Sequence, residues 1–251
     1  MTAQVFQNAA CAWRCWYCFV PNKLLNADPN HAKWFSTSEL VELYSQVTNP
    51  PQIIVLSGGS PDLIPEWTLW MMTALKKADI DHKTYLWTDD NLSTTYLLNK
   101  LSASDHEVMR NYPNYGRVCC IKGFDETSFA FNTRAKPEGY YKQFEILRSV
   151  LDLGLDTYGY VTLTSPCADR VTKKVASLID RLQEISTDLP LRFVPLRVEI
   201  FTPVKRRLSC DPTREYSLGV QEEAIAVWNS EIKRRFNVRS RAKLMGIISK
   251  S

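Results

Sequence analysis

Residues 11–18 read Cys-Ala-Trp-Arg-Cys-Trp-Tyr-Cys, so Cys11, Cys15 and Cys18 stand four and then three positions apart. Spacing that close lets three thiolates converge on one small object, and thiolate is the soft ligand that iron–sulfur clusters use. A [4Fe–4S] cluster takes four such ligands. The next cysteines, Cys119 and Cys120, lie far along the chain. Three local ligands would therefore leave one iron open to a substrate or cofactor. Other chemistries fit the same residue types. A structural zinc site also uses cysteine clusters, but it would need a fourth ligand. His31 is the nearest candidate, and the paired Cys or Cys/His knuckles of zinc modules are absent. The three thiols would also serve as core residues with no ligand at all.

These cysteines need a scaffold, and the rest of the sequence alternates strand and helix signals. Residues 3–8 form a short strand leading into the cysteine segment, and residues 21–30 are rich in turn formers. Ser36 or Thr37 caps a helix running to about residue 47. A compact apolar strand over 52–57 precedes Gly58 and Gly59, and a helix over 66–78 follows. The next pair is a strand over 83–88 and a helix over 94–101, and residues 116–121 make a fourth strand. A strongly periodic helix over 139–153 ends at Gly154, a C-terminal cap. A strand over 157–164, a helix over 169–185 and a strand over 191–200 come next. The last helix spans 220–235, and the tail is weakly specified. Six strands alternating with helices predict an α/β fold, a partial (β/α)6 TIM-like barrel with parallel strands, open on one side. Eight strands would close it, and residues 201–251 have no room for the missing pairs. The cysteine segment then follows strand one, at the edge where βα loops build active sites. The domain reading is residues 1–200 for the barrel and 201–251 for a basic helical extension packed on it.

The Cys-x3-Cys-x2-Cys spacing, with the aromatic Tyr17 just before the last cysteine, resembles the cluster loop of the radical S-adenosylmethionine (SAM) superfamily. The resemblance implies a [4Fe–4S] cluster on Cys11, Cys15 and Cys18 whose open iron chelates the amino and carboxylate groups of SAM. Tyr17 would pack beside the adenine. It further implies reductive cleavage of SAM to methionine and a 5′-deoxyadenosyl radical, which takes hydrogen from a substrate. The family's partial barrel agrees with the fold that the element count reaches separately.

Further segments carry the same resemblance. Ser57-Gly58-Gly59-Ser60-Pro61 follows the second strand, where the family has a Gly-Gly-Glu-Pro-like segment whose backbone binds the amino group of SAM. Ser60 stands at the acidic position. Read alone, the glycine pair is also an ordinary strand-to-helix turn. Thr88 and Asp89, at the end of strand three, take the place of a Thr-Asn-Gly segment beside the cofactor, and read alone they open an Asx turn. Ile121-Lys122-Gly123-Phe124-Asp125-Glu126 resembles a segment of the glycyl-radical-enzyme activating enzymes, which puts Lys122 near the methionyl end of SAM. Cys120 occupies the acidic position of that segment. Thr162 and Thr164 on strand five would meet a ribose if they point into the barrel, or simply fill a strand. On strand six, Arg197 and Glu199 share a face as a buried ion pair or a substrate contact. Backbone at Val194 borders the adenine by analogy with the family. Lys122 and Arg197 are the candidate catalytic groups, and Trp13, Trp16 and Trp34 are candidates to shield a cluster from water.

Bulk properties narrow the setting. With 45% hydrophobic and 23% charged residues, the chain can bury a core and is not disordered. No apolar stretch reaches the ~18 residues of a membrane span. The first residues lack the basic-then-apolar pattern of a secretory signal. Seven cysteines, an odd number, fit a reducing compartment, so the expected location is cytoplasmic. Residues 201–251 carry 11 Lys and Arg against 5 Asp and Glu. That surplus reads as a solvated helix face, as a docking surface for an acidic one-electron donor of the flavodoxin or ferredoxin type, or as a seat for a phosphate-bearing substrate such as a nucleic acid. The substrate classes left open are a glycyl-radical-type protein, a small metabolite and a nucleotide. The competing reading is a non-catalytic zinc- or Fe–S-binding interaction module with the basic end as its contact surface.

Overall fold

The structure, a computed structural model, describes residues 2–237. Its strands and helices alternate as β1 (Gln4–Gln7), α1 (Thr37–Ser45), β2 (Ile53–Ser57), α2 (Glu66–Lys77), β3 (Tyr85–Asp90), α3 (Tyr96–Lys100), α4 (Ala103–Asn111) and β4 (Tyr115–Ile121). Then come α5 (Glu126–Thr133), α6 (Gly139–Asp152), β5 (Thr157–Thr162), α7 (Val171–Ile185), β6 (Phe193–Leu196), α8 (Thr202–Leu208) and α9 (Pro212–Arg235). The six strands form one sheet in the order β1-β2-β3-β4-β5-β6. Val5 lies opposite Val55, Val55 opposite Trp87, Thr88 opposite Arg117 and Tyr160 opposite Val194, all in parallel register. β1 and β6 are its two edges, so the sheet does not close, and the expected open (β/α)6 architecture is what forms.

Local chemistry explains most of the boundaries. Ser36 caps α1 through a full capping box with Glu39, which satisfies two of the backbone N–H groups that a helix start leaves over. Gly154 ends the α6 region with φ +74°, a conformation that costs glycine little. Strand β3 runs two residues past the expected end, to Asp90. The sixth strand is much shorter than expected. Residues Leu189–Arg192 wind into a 3-10 turn begun by Pro190, and β6 stops at Leu196. Pro195 fits there because an edge strand can spare its missing N–H. Arg197 and Glu199 therefore lie beyond the strand, not on a shared strand face. Helices α4, α5 and α8 had no counterpart in the sequence reading, although Ser102 and Asp125 form capping boxes ahead of the first two. The last helix starts at Pro212 behind the Asp211 cap, eight residues before the expected 220. The weakly specified tail lies outside the described residues.

The chain forms two compact units that interleave along the sequence. The first comprises Met1–Arg14, Val20–Cys120 and Glu145–Tyr158, and the second Cys15–Phe19, Ile121–Phe144 and the chain from Gly159 on. In the first, Ile54 and Leu56 of β2, Leu86 of β3 and Met71, Met72 and Leu75 of α2 are buried. That alternation on the strands and the single apolar face of α2 are the pattern of a sheet with a helix laid on it. In the second, α7 presents Val171, Val175, Leu178 and Leu182 to the interior and packs on α9. Trp16, Val198 and Val204 form a core cluster there, joined by Tyr17, Phe131 and Leu208. The described part of 201–251 thus belongs to this unit. Among the described residues, no helix is long and apolar enough to cross a membrane.

Candidate functional site

In the first unit the site is built around Cys11. The backbone after β1 turns so that Ser60 N donates to Ala10 O (2.8 Å) and Cys11 N donates to Leu25 O (3.3 Å). Gly58 sits at φ +84°, and a Cβ on Gly59 would fall 2.1 Å from Ala10 O and 2.5 Å from Asn8 O. Glycine is required at 59 because the cysteine segment's own backbone presses against it. Ser60 is fully buried. Its Oγ lies 3.2 Å from Cys11 Sγ and accepts from Ala12 N (3.1 Å) and Asn91 Nδ2 (2.9 Å). Trp13 N donates to Cys11 Sγ (3.4 Å), and Trp13 Nε1 to Asn91 O (3.4 Å). Ser57 Oγ donates to Asp89, which also accepts from Trp87 Nε1 at 3.0 Å. Thr88 points the other way, as alternation along a strand demands, and its hydroxyl meets Thr68 of α2 at 3.3 Å. The Thr88 side chain is thus part of the helix-facing layer.

Beneath this segment lies an ionised group of a kind that strand interiors rarely hold. Arg117 of β4, fully buried, donates from Nε to Asp90 (2.8 Å) and from Nη1 to Tyr115 OH (3.2 Å), and its Nη2 forms an ion pair with Asp90 at 2.7 Å. Burial works against the guanidinium charge, but the adjacent Asp90 carboxylate prevails and raises the Arg117 pKa. Asp62 is buried beside them and accepts from Ser93 N at 3.0 Å and from the Ser93 hydroxyl. Desolvation first, and then the Asp90 charge, push its pKa up to about 6. Its Oδ1 has no hydrogen-bond partner.

In the second unit the site is built around Asn132 of α5, whose amide is fully used. Nδ2 donates to Lys122 O (2.9 Å) and Thr164 O (3.1 Å), and Oδ1 accepts from Trp16 Nε1 (3.1 Å) and Thr164 Oγ1 (2.6 Å). Trp16 N also donates to Asn132 O at 3.2 Å. One buried side chain thus ties the cysteine segment to the ends of β4 and β5. Tyr17 OH meets Thr162 Oγ1 at 2.9 Å. Burial, and then the neighbouring Cys15, raise the Tyr17 pKa well above the phenol range, while the Lys122 charge pulls the other way, so the phenol stays neutral. Cys15, Tyr17, Lys122 and Thr162 therefore share one environment. Thr164 is spent on Asn132. Arg207 of α8 donates to Trp16 O at 3.4 Å and to Cys18 O.

Several expected site residues lie elsewhere. Arg197 is exposed and pairs with Glu222 of α9, so it makes neither a buried pair with Glu199 nor a strand-face contact. The Val194 side chain is half exposed on the edge strand. Trp34 is 95% exposed and shields nothing, whereas Trp16 is buried. His31 pairs through Nδ1 with Asp28 Oδ2 at 2.9 Å in an exposed turn. None of the seven cysteines is in a disulfide.

The residues that the sequence reading missed are Asn91, Asn132, Arg117 and Arg207. Arg117 carried a signal, a lone charge inside the apolar run of strand four. Asn132 carried a weaker one, a single amide among Phe129, Ala130 and Phe131.

The sequence profile described as "Radical SAM superfamily" matches residues 8–167, well over half of the chain. The chain belongs to the radical SAM superfamily. Superfamily membership carries SAM and an iron–sulfur cluster as cofactors. No curated protein matches the sequence. Among solved structures, the fold resembles Streptococcus suis SuiB bound to S-adenosylmethionine, with TM-score 0.55 and 14% identity over 80% of this chain and 41% of that one. SuiB bound to precursor peptide SuiA gives TM-score 0.52 and 13% identity over 77% of this chain and 38% of that one. Native anSMEcpe with bound AdoMet gives TM-score 0.51 and 14% identity over 80% and 55%. The chain thus spans about two fifths of the length of SuiB. At these identities the likeness is one of fold. No comparison singles out the activating-enzyme branch.

Proposed function

We propose that the chain is a radical SAM enzyme that holds a [4Fe–4S] cluster on Cys11, Cys15 and Cys18 and uses it to cleave SAM reductively. The superfamily match over residues 8–167, which contains the whole Cys-x3-Cys-x2-Cys motif, carries this reading. The donor set fits the group. The three thiols are unbridged, and the Cys11 sulfur faces the N–H of Trp13 and the hydroxyl of Ser60, surroundings suited to a ligating thiolate. When bound, cluster and SAM supply a 5′-deoxyadenosyl radical able to take hydrogen from a substrate.

The protein's part is to bind, orient and keep the site dry. In the first unit, the backbone of the Ser57-Gly58-Gly59-Ser60 turn would bind the SAM amino group, with Asp89 held by Ser57 and Trp87 at its edge. In the second, Lys122 would supply a cation for the SAM carboxylate, and Thr162 and Tyr17 would offer a hydroxyl pair and a ring face to the nucleoside. Val194 contributes backbone only. Arg197, held by Glu222 at the surface, takes no part in this scheme. The chemistry needs an external one-electron donor, and the exposed Lys205, Arg206 and Lys233 would suit an acidic one of the flavodoxin or ferredoxin type. Among the described residues, Arg234 and Arg235 pair with Glu231 and Arg235 also with Asp180.

The test is electron paramagnetic resonance of the anaerobically reconstituted, dithionite-reduced protein. The reading predicts a cluster signal that shifts on adding SAM and disappears in each of Cys11→Ala, Cys15→Ala and Cys18→Ala. Signals unaltered by SAM, or full iron retained in all three variants, would contradict it.

A further inference from the structure

Ser60 stands where the superfamily's segment carries an acid, and its hydroxyl offers one proton and two lone pairs. The partners around Oγ settle where each goes. Ala12 N, at 3.1 Å, can only donate. Asn91 Nδ2, at 2.9 Å, also donates to the Gly59 carbonyl at 3.1 Å. That carbonyl cannot donate in return, which fixes the Asn91 amide with its NH2 on this side. Both lone pairs of Ser60 Oγ are thereby taken by obligate donors. The hydroxyl proton is left to the remaining neighbour, Cys11 Sγ at 3.2 Å. Trp13 N directs a second proton to the same sulfur at 3.4 Å, and Asn91 Nδ2 stands 4.0 Å away. Ser60 is fully buried and Asn91 nearly so, so no bulk water competes.

We propose that Ser60 is a positioning residue whose hydroxyl donates a hydrogen bond to the Cys11 thiolate and so raises the reduction potential of the cluster that Cys11 ligates. The physical cause is that a proton donated to a ligand sulfur draws electron density from the cluster and favours the more negative, reduced state. The substitution of serine for an acid matters twice here. A carboxylate at position 60 would bring a negative charge and no proton toward the same sulfur, with the opposite effect on the potential. The reduction concerned is the uptake of one electron from a donor such as dithionite.

The inference rests on Cys11 being a cluster ligand, and the experiment separates the two. Reconstituted wild type, Ser60→Ala, Ser60→Thr, Ser60→Val and Cys11→Ala are titrated anaerobically against redox mediators, with iron and sulfide measured on each. Ser60→Ala should keep the wild-type cluster content but titrate at a more negative potential, and Ser60→Thr should hold the wild-type value. Valine and threonine have the same shape and differ only in the hydroxyl. Ser60→Val should thus titrate below Ser60→Thr, a comparison that stands even if alanine collapses the turn. Full cluster content with equal potentials in Ser60→Ala and wild type, or in Ser60→Val and Ser60→Thr, overturns the proposal. Loss of the cluster in Cys11→Ala supports the ligand assignment it rests on, and a full cluster in that variant overturns both.

Discussion

Individual residues in this protein are set by what surrounds them, and two make sharp predictions. Asp62 is buried next to Asp90, and its pKa rises from the ordinary carboxylate value to about 6. Between about pH 4 and pH 6 the unfolded chain has therefore released this proton while the folded chain retains it. Folding stability falls as pH rises through that window and stays lowered above it, by up to about 3 kcal/mol for a shift of this size. Asp62→Asn keeps the acceptor for Ser93, removes the charge and supplies protons where Oδ1 has no partner. Urea denaturation should find the variant more stable than wild type at pH 7 and level with it near pH 3.5; equal stability at both would refute the burial argument. Gly59→Ala is the converse case. Its Cβ would overlap backbone oxygens at 2.1 and 2.5 Å that no rotamer can move aside. We expect a loss of roughly 3 kcal/mol or more and a failure to retain iron on reconstitution.

Elements are joined at the site by a few polar side chains. Asn132 alone links the cysteine segment, the end of β4 and the end of β5 through four side-chain hydrogen bonds. Truncating it leaves several buried groups unpaired, so Asn132→Ala should lose roughly 3 kcal/mol, seen as a Tm lower by roughly 6–12 °C. A Tm within a degree of wild type would mean that the bracket carries no load. Arg207 of α8 holds the carbonyls of Trp16 and Cys18. Arg207→Ala should speed amide exchange at residues 15–19 by roughly tenfold while leaving α7 protected. Uniform protection across both would show that α8 does not restrain the segment. These links also explain what the sequence could convey. Hydrophobic period and caps made α1, α2, β2, α6 and α7 legible, because those signals are local. The end of strand six was not, because Pro195 and an edge position decided it. Asn132 reaches Trp16, and Arg207 reaches Trp16 and Cys18, more than a hundred residues away, and no local pattern encodes that. The superfamily was legible because the three-cysteine spacing is itself the signal, whereas the strand-face reading of Arg197 failed because its partner is Glu222, 25 positions on.

At the scale of the whole molecule, an open parallel sheet, a superfamily match over residues 8–167 and three cysteines outside any disulfide in an eight-residue segment support one account. That account is SAM-dependent radical chemistry, with the protein's side chains arranged to bind and tune rather than to react. Its most direct test is 5′-deoxyadenosine formation by the anaerobically reconstituted chain given dithionite and SAM, with Cys15→Ala in parallel. The account predicts 5′-deoxyadenosine from the wild type and none from Cys15→Ala. A colourless wild-type protein that holds zinc after reconstitution and forms no 5′-deoxyadenosine would contradict it.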